Sequence, residues 1–252
     1  MKTRPKTPAE IDAMREGGKM LAKVHASLKE FVEVGMSTKD LDDHAEKVLK
    51  ELGGKPAFKG YGGFPGVLCV SLNEEVVHGI PSKDRIIREG DIVSMDFGVT
   101  YKGMITDAAF SMIAGVGSKQ DEKLLKATRR SLDAGVNAVI DGVKTGTIGA
   151  AVQEVLDGAG FGIVRDYVGH GVGHQLHEEP NIPNFGLVGQ GPMLHSGMTI
   201  AIEPMATIGG EDVELLNDGW TVKTADGLRS AHFEQTILIT NDGAEVLTEL
   251  PD

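Results

Sequence analysis

Asp91-Ile92-Val93-Ser94-Met95-Asp96-Phe97-Gly98-Val99 alternates from Val93 onward. In an extended strand Val93, Met95, Phe97 and Val99 take one face, and Ser94, Asp96 and Gly98 the other. Tyr101-Lys102-Gly103 then reads as a turn and Met104–Ile113 as the returning strand of a hairpin. With Tyr101-Lys102 as a two-residue loop, Asp96 stands directly opposite Asp107, their Cβ atoms about 4.5–5.5 Å apart. Two facing aspartates repel unless a cation lies between them. A slip of one residue would send them to opposite faces. An acid turned to solvent at a strand end is the plainer alternative.

Outward from the hairpin, Thr7-Pro8-Ala9-Glu10 offers a capping box with proline at the first helical position. Ile11, Met14, Leu21, Leu28 and Val32 follow at helical spacing. A second helix is predicted from Ser37, striped by Leu41, Ala45, Val48 and Leu49 and stopped by Gly53-Gly54. Strand-like runs cover Val67–Leu72, Ile92–Thr100 and Met104–Ile113. The order then repeats. Ser118 precedes Leu124, Leu125, Ala127 and Leu132, and a shorter helix holds Ile148, Val152, Val155 and Leu156 before Gly158 and Gly160. Strand-like runs return at Thr199–Met205 and Ala231–Thr240. Val32-Glu33-Val34-Gly35 is echoed by Val143-Lys144-Thr145-Gly146, and no Pro/Ser-rich linker separates the repeats. The prediction is one α+β domain over 1–252, with similar halves at roughly 7–115 and 118–250.

The 252 residues carry a net charge of −12, which argues against a primary nucleic-acid binder. No apolar stretch follows the basic lead Lys2–Thr7, so neither a secretory signal nor a membrane segment is expected. The single cysteine, Cys69, cannot form an internal disulfide, and a cytoplasmic setting is the default.

Glu203 ends the apolar part of Thr199-Ile200-Ala201-Ile202-Glu203-Pro204, and Glu234 sits in Ala231–Ile239 on the face shared with His232 and Thr236. Neither run holds a lysine or arginine to pair with its acid, and such acids are rarely buried without a partner. Histidines cluster in Gly169-His170-Gly171-Val172-Gly173-His174-Gln175-Leu176-His177-Glu178-Glu179-Pro180. As a helix this stretch would put His170, His174 and His177 on one face. Its glycines oppose that, at about 1 kcal/mol each relative to alanine, and favour an extended segment passing close to a ligand. Spacing leaves open whether His170 or His174 is a metal ligand. H-E-x-x-H is missing, so a helix-based single-zinc protease does not fit.

Charge then bears on the metal. Four carboxylates with one neutral imidazole balance two divalent ions, whereas one ion leaves excess negative charge in a partly dry site. Mixed oxygen and nitrogen ligands suit manganese, iron, cobalt, zinc or nickel. Two such ions about 3.5–4 Å apart share a water and lower its pKa toward neutrality, which implies hydrolysis.

These residues resemble the type I methionine aminopeptidases, members of the pita-bread metallopeptidases, from about Thr7 to Leu247. The matched stretches are Glu74–Pro81, Asp91–Asp107 with its D-x₁₀-D pair, Gly169–Pro180, Ile202–Met205 and Phe233–Thr236. The resemblance implies a pita-bread fold, two pseudo-symmetric halves with an antiparallel sheet covered by helices. It implies that Asp96, Asp107, His170, Glu203 and Glu234 hold two divalent metal ions, with His170 rather than His174 as the ligand. It gives Glu203 the role of general base and acid, and His177 and His78 that of stabilising the intermediate formed when the shared water attacks the scissile amide. A pocket for the leading side chain is implied at Phe58, Tyr61, Phe64, Cys69, Leu176 and Trp220, lined also by His78 and His177. The activity implied is removal of the initiator methionine ahead of a small second residue. The partners are the N-termini of nascent polypeptides with transient ribosome contact, no membrane and no specific nucleic acid, and a monomer is the default.

Many relatives carry arginine and an aromatic residue just before the position of His177, where this chain has His174-Gln175-Leu176. Glu203 follows His177 by only 26 positions, too few for the insertion of type II enzymes. Proline-specific peptidases of the same fold generally carry a large extra N-terminal domain, for which this length leaves no room. A binding module that has lost catalysis would typically have lost ligands, and all five positions are filled here.

Overall fold

Strands Ile92–Tyr101 and Met104–Ile113 pair as a hairpin that closes through Lys102-Gly103, not Tyr101-Lys102. Both turn residues have positive φ, 48° and 79°, as a two-residue turn matched to strand twist requires. The register therefore differs by two from the expected one. Asp96 lies opposite Ala109, and Asp107 opposite Gly98. A two-residue shift keeps every side chain on its face. The aspartates thus become diagonal neighbours on one face instead of direct partners.

The computed structural model describes residues 1–249, so the last positions of the expected ranges 1–252 and 118–250 lie outside the described residues. The hairpin occupies one half of a nine-stranded antiparallel sheet. Leu68–Leu72 pairs with its first strand and Glu234–Ile239 with its second. Beyond Glu234–Ile239 come Thr199–Ile202, Gly169–Gly171 and Glu178–Ile182. The two halves of the chain meet where Glu234 and Gln235 pair with Ala109 and Ala108.

Four helices pack in two pairs against this sheet. α1 (Pro8–Phe31), α2 (Thr38–Leu52) and α3 (Lys119–Asn137) each start with a complete capping box, at Thr7/Glu10, Ser37/Asp40 and Ser118/Asp121. α4 (Thr145–Ala159) starts at Lys144 with no side-chain cap, runs through Gly158, and stops at Gly160 in the left-handed region. Leu21, Val24 and Leu28 of α1 share the main core with Val93, Met95, Phe97 and Val99 of the hairpin. Each such side chain contributes about 1.5–3 kcal/mol by leaving water. The hairpin's other face carries Asp96 and Asp107 into a cleft.

The two C-terminal runs are each broken. Thr199–Ile202 and Met205–Thr207 are separated by Glu203-Pro204, and Ser230–His232 is separated from Glu234–Ile239 by Phe233. Ile202 pairs with Gln235 in the large sheet, whereas Met205 pairs with His232 in a separate three-stranded sheet. Pro204 has no N–H to give to a ladder, so the run cannot continue unbroken at this level. Glu203 and Glu234 flank the resulting gap.

Candidate metal centre

Five ligand-type side chains converge on the cleft, which encloses about 90 Å³. Asp96 and Asp107 come from the hairpin, His170 from the strand Gly169–Gly171, and Glu203 and Glu234 from the two broken strands. One ligand atom from each of Asp107, His170 and Glu234 lies within 4.8 Å of the others. His170 Nε2 stands 3.4 Å from Glu203 Oε1. His170 Nδ1 lies 3.0 Å from the carbonyl of Gly171, which fixes the proton on Nδ1 and leaves the Nε2 lone pair to a ligand.

These acids are in a setting that opposes their charge. Burial raises Asp96 well above the ordinary carboxylate range, with Asp107 and Glu203 adding to it. Burial takes Asp107 up to about 7. Burial and then Asp107 take Glu203 up to about 8. Glu234 is raised well above its usual range by burial, then by Asp107 and Glu203. Asp96 Oδ1, Asp107 Oδ1 and Glu234 Oε1 are buried without a hydrogen-bond partner. Among the described residues, no lysine or arginine lines the cleft. Four carboxylates and one neutral imidazole, with lone pairs unclaimed by the protein, are the donor set of a divalent cation of intermediate hardness.

Beside this cluster the cleft narrows into an apolar slot of Phe58, Phe64, Cys69 and Leu176, against which Trp220 packs. Gly98 permits the slot, since a Cβ there would meet Phe58 Cε1 at 2.7 Å. Cys69 pairs with Asp96 across the sheet, and burial followed by Asp96 pushes its thiol up, so it stays neutral. Tyr61 stands at the mouth, half exposed, with its hydroxyl 2.8 Å from His177 Nδ1. The His177 ring lies edge-on to His170 at 4.4 Å. His78 holds φ +60°, a conformation that costs a non-glycine residue on the order of 1 kcal/mol. The next residue, Gly79, donates to Ser71 Oγ and lies so close to Val70 O that no Cβ fits there. All thirteen residues singled out by the resemblance line this one cleft. His174 is outside it, with Nε2 2.7 Å from Glu10 Oε1.

The sequence profile of metallopeptidase family M24 matches residues 12–241. The chain belongs to metallopeptidase family M24. It is 46% identical over 245 residues to methionine aminopeptidase 1 of Bacillus subtilis, covering 97% of this chain and 98% of that protein. It is 44% identical over 243 residues to a methionine aminopeptidase of Clostridium acetobutylicum, covering 96% and 97%. The solved structure of a methionine aminopeptidase from Thermotoga maritima superposes with a TM-score of 0.96 at 45% identity, covering 98% of this chain and 99% of that one. The fold is the pita-bread arrangement, and membership of the M24 metallopeptidases brings divalent-metal binding with it.

Three residues of this M24 site were not anticipated. Thr236 Oγ1 accepts from the Asp107 amide at 2.9 Å and donates to the Asp107 carbonyl at 2.8 Å, fixing the backbone of that acid. Asn184 donates to the carbonyl of Glu203 at 3.0 Å. His232 Nε2 is buried 3.8 Å from Glu203 Oε2. Thr236 and His232 were within reach as neighbours of Glu234 on one face. Nothing in the local sequence of Asn184 signals its contact.

The metal-free M24 fold carries a pH signature. Asp107 and Glu203 release protons at about 7 and about 8 in the fold, against ordinary values of 3.8 and 4.5. Between those limits the folded state binds more protons than the unfolded one, so stability falls as pH rises. Buried histidines work the other way. His25, His170 and His232 are pulled down to about 3 and His78 to about 4, chiefly by burial, against 6.5 when exposed. Their effect raises stability with pH, is half spent at 6.5 and fades by about 7.5. Above about 7 the acids prevail, and Tm of chelated protein is expected to fall from about pH 7 to 8. Excess divalent metal, which favours the ionised acids, should flatten or reverse that fall. A metal-free Tm that keeps rising to pH 8 would contradict this charge assignment.

Proposed function

We propose that this chain releases the N-terminal methionine of polypeptides whose second residue is small, using Asp96, Asp107, His170, Glu203 and Glu234 to hold two divalent ions. The observation that carries this reading is the meeting of the carboxylate-imidazole cluster with an apolar slot of Phe58, Phe64, Cys69 and Leu176. A thioether packs well against such polarisable and aromatic walls. The ions, when bound, supply a water of lowered pKa and an anchor for the free amine of the substrate.

The rest of the chemistry belongs to side chains. Glu203, with its proton affinity raised by burial, takes the proton from the attacking water and returns it to the leaving amine. Burial lowers the His177 imidazole, so it stays neutral. With the Tyr61 hydroxyl donating to Nδ1, the ring proton stands on Nε2, ready for the oxygen that becomes negative. His78, held at strained φ and lowered to about 4 by burial, is a second neutral imidazole beside the scissile amide. Trp220 and Phe64 meet edge to face at 5.2 Å and close the slot.

We further propose that the whole chain is one catalytic unit, because each half supplies ligands. It would work as a monomer on nascent chains leaving the ribosome in the cytoplasm. Among the described residues, no helix is long and apolar enough to cross a membrane. The test of substrate choice is a peptide panel. Met-Ala-Ser and Met-Gly-Met should lose methionine while Met-Lys and Met-Phe starts stay intact. Preferential release of residues other than methionine from Xaa-Pro peptides would favour a proline-specific enzyme instead. Metal analysis of protein purified without added cobalt, set against activity per metal, decides which ion is native and whether two are needed.

A further inference from the structure

The turn that carries Leu176 and His177 is held from the side away from the cleft, by the first residues of the chain. Glu178 Oε1 accepts from the backbone N–H groups of His174 at 2.7 Å and Gln175 at 3.1 Å, closing the turn around its own carboxylate. Its Oε2 accepts from Lys6 Nζ at 3.2 Å, and both side chains are wholly shielded from solvent. Lys6 Nζ also donates to Thr3 Oγ1 at 3.0 Å. The lead is itself laced to the same segment, since Thr3 N donates to Glu179 O and Glu179 N donates to Met1 O. Gly173, at φ +143°, lets the Lys6 stem pass, because a Cβ there would lie 2.5 Å from Lys6 Cε. A second clamp joins Glu10 to His174 Nε2 and Arg4.

An ammonium wholly out of water is expensive, and a buried ion pair is a poor source of stability beside apolar residues of like size. What this pair supplies is a fixed geometry. Its carboxylate is the one acceptor shared by two amides of the turn, and the ammonium fixes where that carboxylate sits. We propose that Lys6 is a positioning residue, which through Glu178 sets where His177 and Leu176 stand in the cleft. This rests on His177 being the donor to the reacting carbonyl. It makes the N-terminal strap, more than 160 positions away in sequence, part of the working active site.

The experiment is a double-mutant cycle of Lys6→Met and His177→Ala on Met-Ala-Ser, with metal content measured throughout. Lys6→Met is expected to lower kcat about tenfold or more with metal content unchanged, and by less than about threefold once His177 is already alanine. Equal factors in both backgrounds would mean that the pair only stabilises the fold, and would overturn the proposal. The imidazole ¹⁵N signals of His177, assigned by their loss in His177→Ala, should shift in Lys6→Met. Unchanged signals overturn it as well. Should Lys6→Met fail to fold, Thr3→Ala removes the ammonium's other side-chain partner, leaving Glu178 and the Arg4 carbonyl, and is put through the same cycle and the same spectra. Equal factors or unchanged signals in Thr3→Ala then overturn the proposal in the same way. Wild-type protein inactive on Met-Ala-Ser would instead sink the proposed activity, and the imidazole signals would still decide the positioning.

Discussion

Glu203→Gln is expected to lower kcat on a Met-Ala peptide by about 10³-fold or more while leaving the protein folded. General acid-base catalysis alone supplies about 10²–10⁴, and in the proposed mechanism one carboxylate serves both directions of proton transfer. The amide is nearly the same size and cannot take a proton from water. It also removes a buried carboxyl whose proton uptake on folding, forced by burial, costs stability near neutral pH, so the metal-free variant should melt no lower than the parent. Asp96→Asn is expected to be comparably inactive, because it removes a proposed ligand whose Oδ1 has no hydrogen-bond partner. Chelation of the parent protein should abolish activity and lower Tm together, since a cation that binds only the folded state stabilises it. The measurements are kcat, bound metal and Tm on the same preparations. Glu203→Gln with full metal and activity within tenfold of the parent would remove Glu203 from its role. Full activity in metal-stripped parent protein would remove the metal from the mechanism.

What could be read from the sequence tracks how local its causes are. The starts at Thr7, Ser37 and Ser118 are decided within four residues, and the three helices begin directly after them. Gly158, by contrast, does not end α4. A single glycine costs a helix only about 1 kcal/mol, while Gly160 takes the left-handed conformation that stops it. The hairpin face pattern was legible because parity is all it needs. The register was not, because Tyr101-Lys102 and Lys102-Gly103 are both acceptable two-residue loops until the positive φ of each central residue is weighed. Lysine at the first position and glycine at the second meet that demand better than tyrosine followed by lysine. The gaps at Glu203-Pro204 and Phe233 escaped for a different reason. Apolar residues stand on both sides of each acid, and although Pro204 marks a break in the first run, nothing at Phe233 does, where only the pairing of Met205 with His232 in another sheet reveals the switch.

The candidate site divides along the same line. Acids embedded in apolar runs stand out in any one sequence, because burial without a partner is so costly. Asp96, Asp107, Glu203 and Glu234 were visible on that ground. Which residues surround them is a tertiary matter. Asn184 reaches the Glu203 carbonyl and Glu178 gathers the turn below His177 through contacts that no spacing encodes. The choice between His170 and His174 belongs here too. Glycines on both sides make the stretch extended, and an extended stretch does not say which imidazole turns inward. In the fold His170 lines the cleft, while His174 turns out to Glu10.

His177→Ala and His174→Ala are accordingly expected to part company. If His177 donates to the oxygen that becomes negative, its loss falls on the chemical step. Removing one such donor costs about 10²–10³ in kcat, or roughly 2.7–4 kcal/mol. KM should change little, because the bond strengthens only as charge develops. Bound metal should stay near the parent level, since the ligand-type cluster does not include this ring. Tyr61→Phe offers a graded version, as it removes the hydroxyl 2.8 Å from His177 Nδ1 and leaves the ring free to turn. His174→Ala breaks a contact with Glu10 at the rim and leaves the backbone N–H that Glu178 holds. It should therefore cost less than about tenfold, on the order of 1.4 kcal/mol. One Met-Ala peptide, both variants, and parallel measurement of kcat and metal content are enough to decide. Loss of metal in His174→Ala beside parent-like turnover in His177→Ala would reverse the roles given to the two imidazoles.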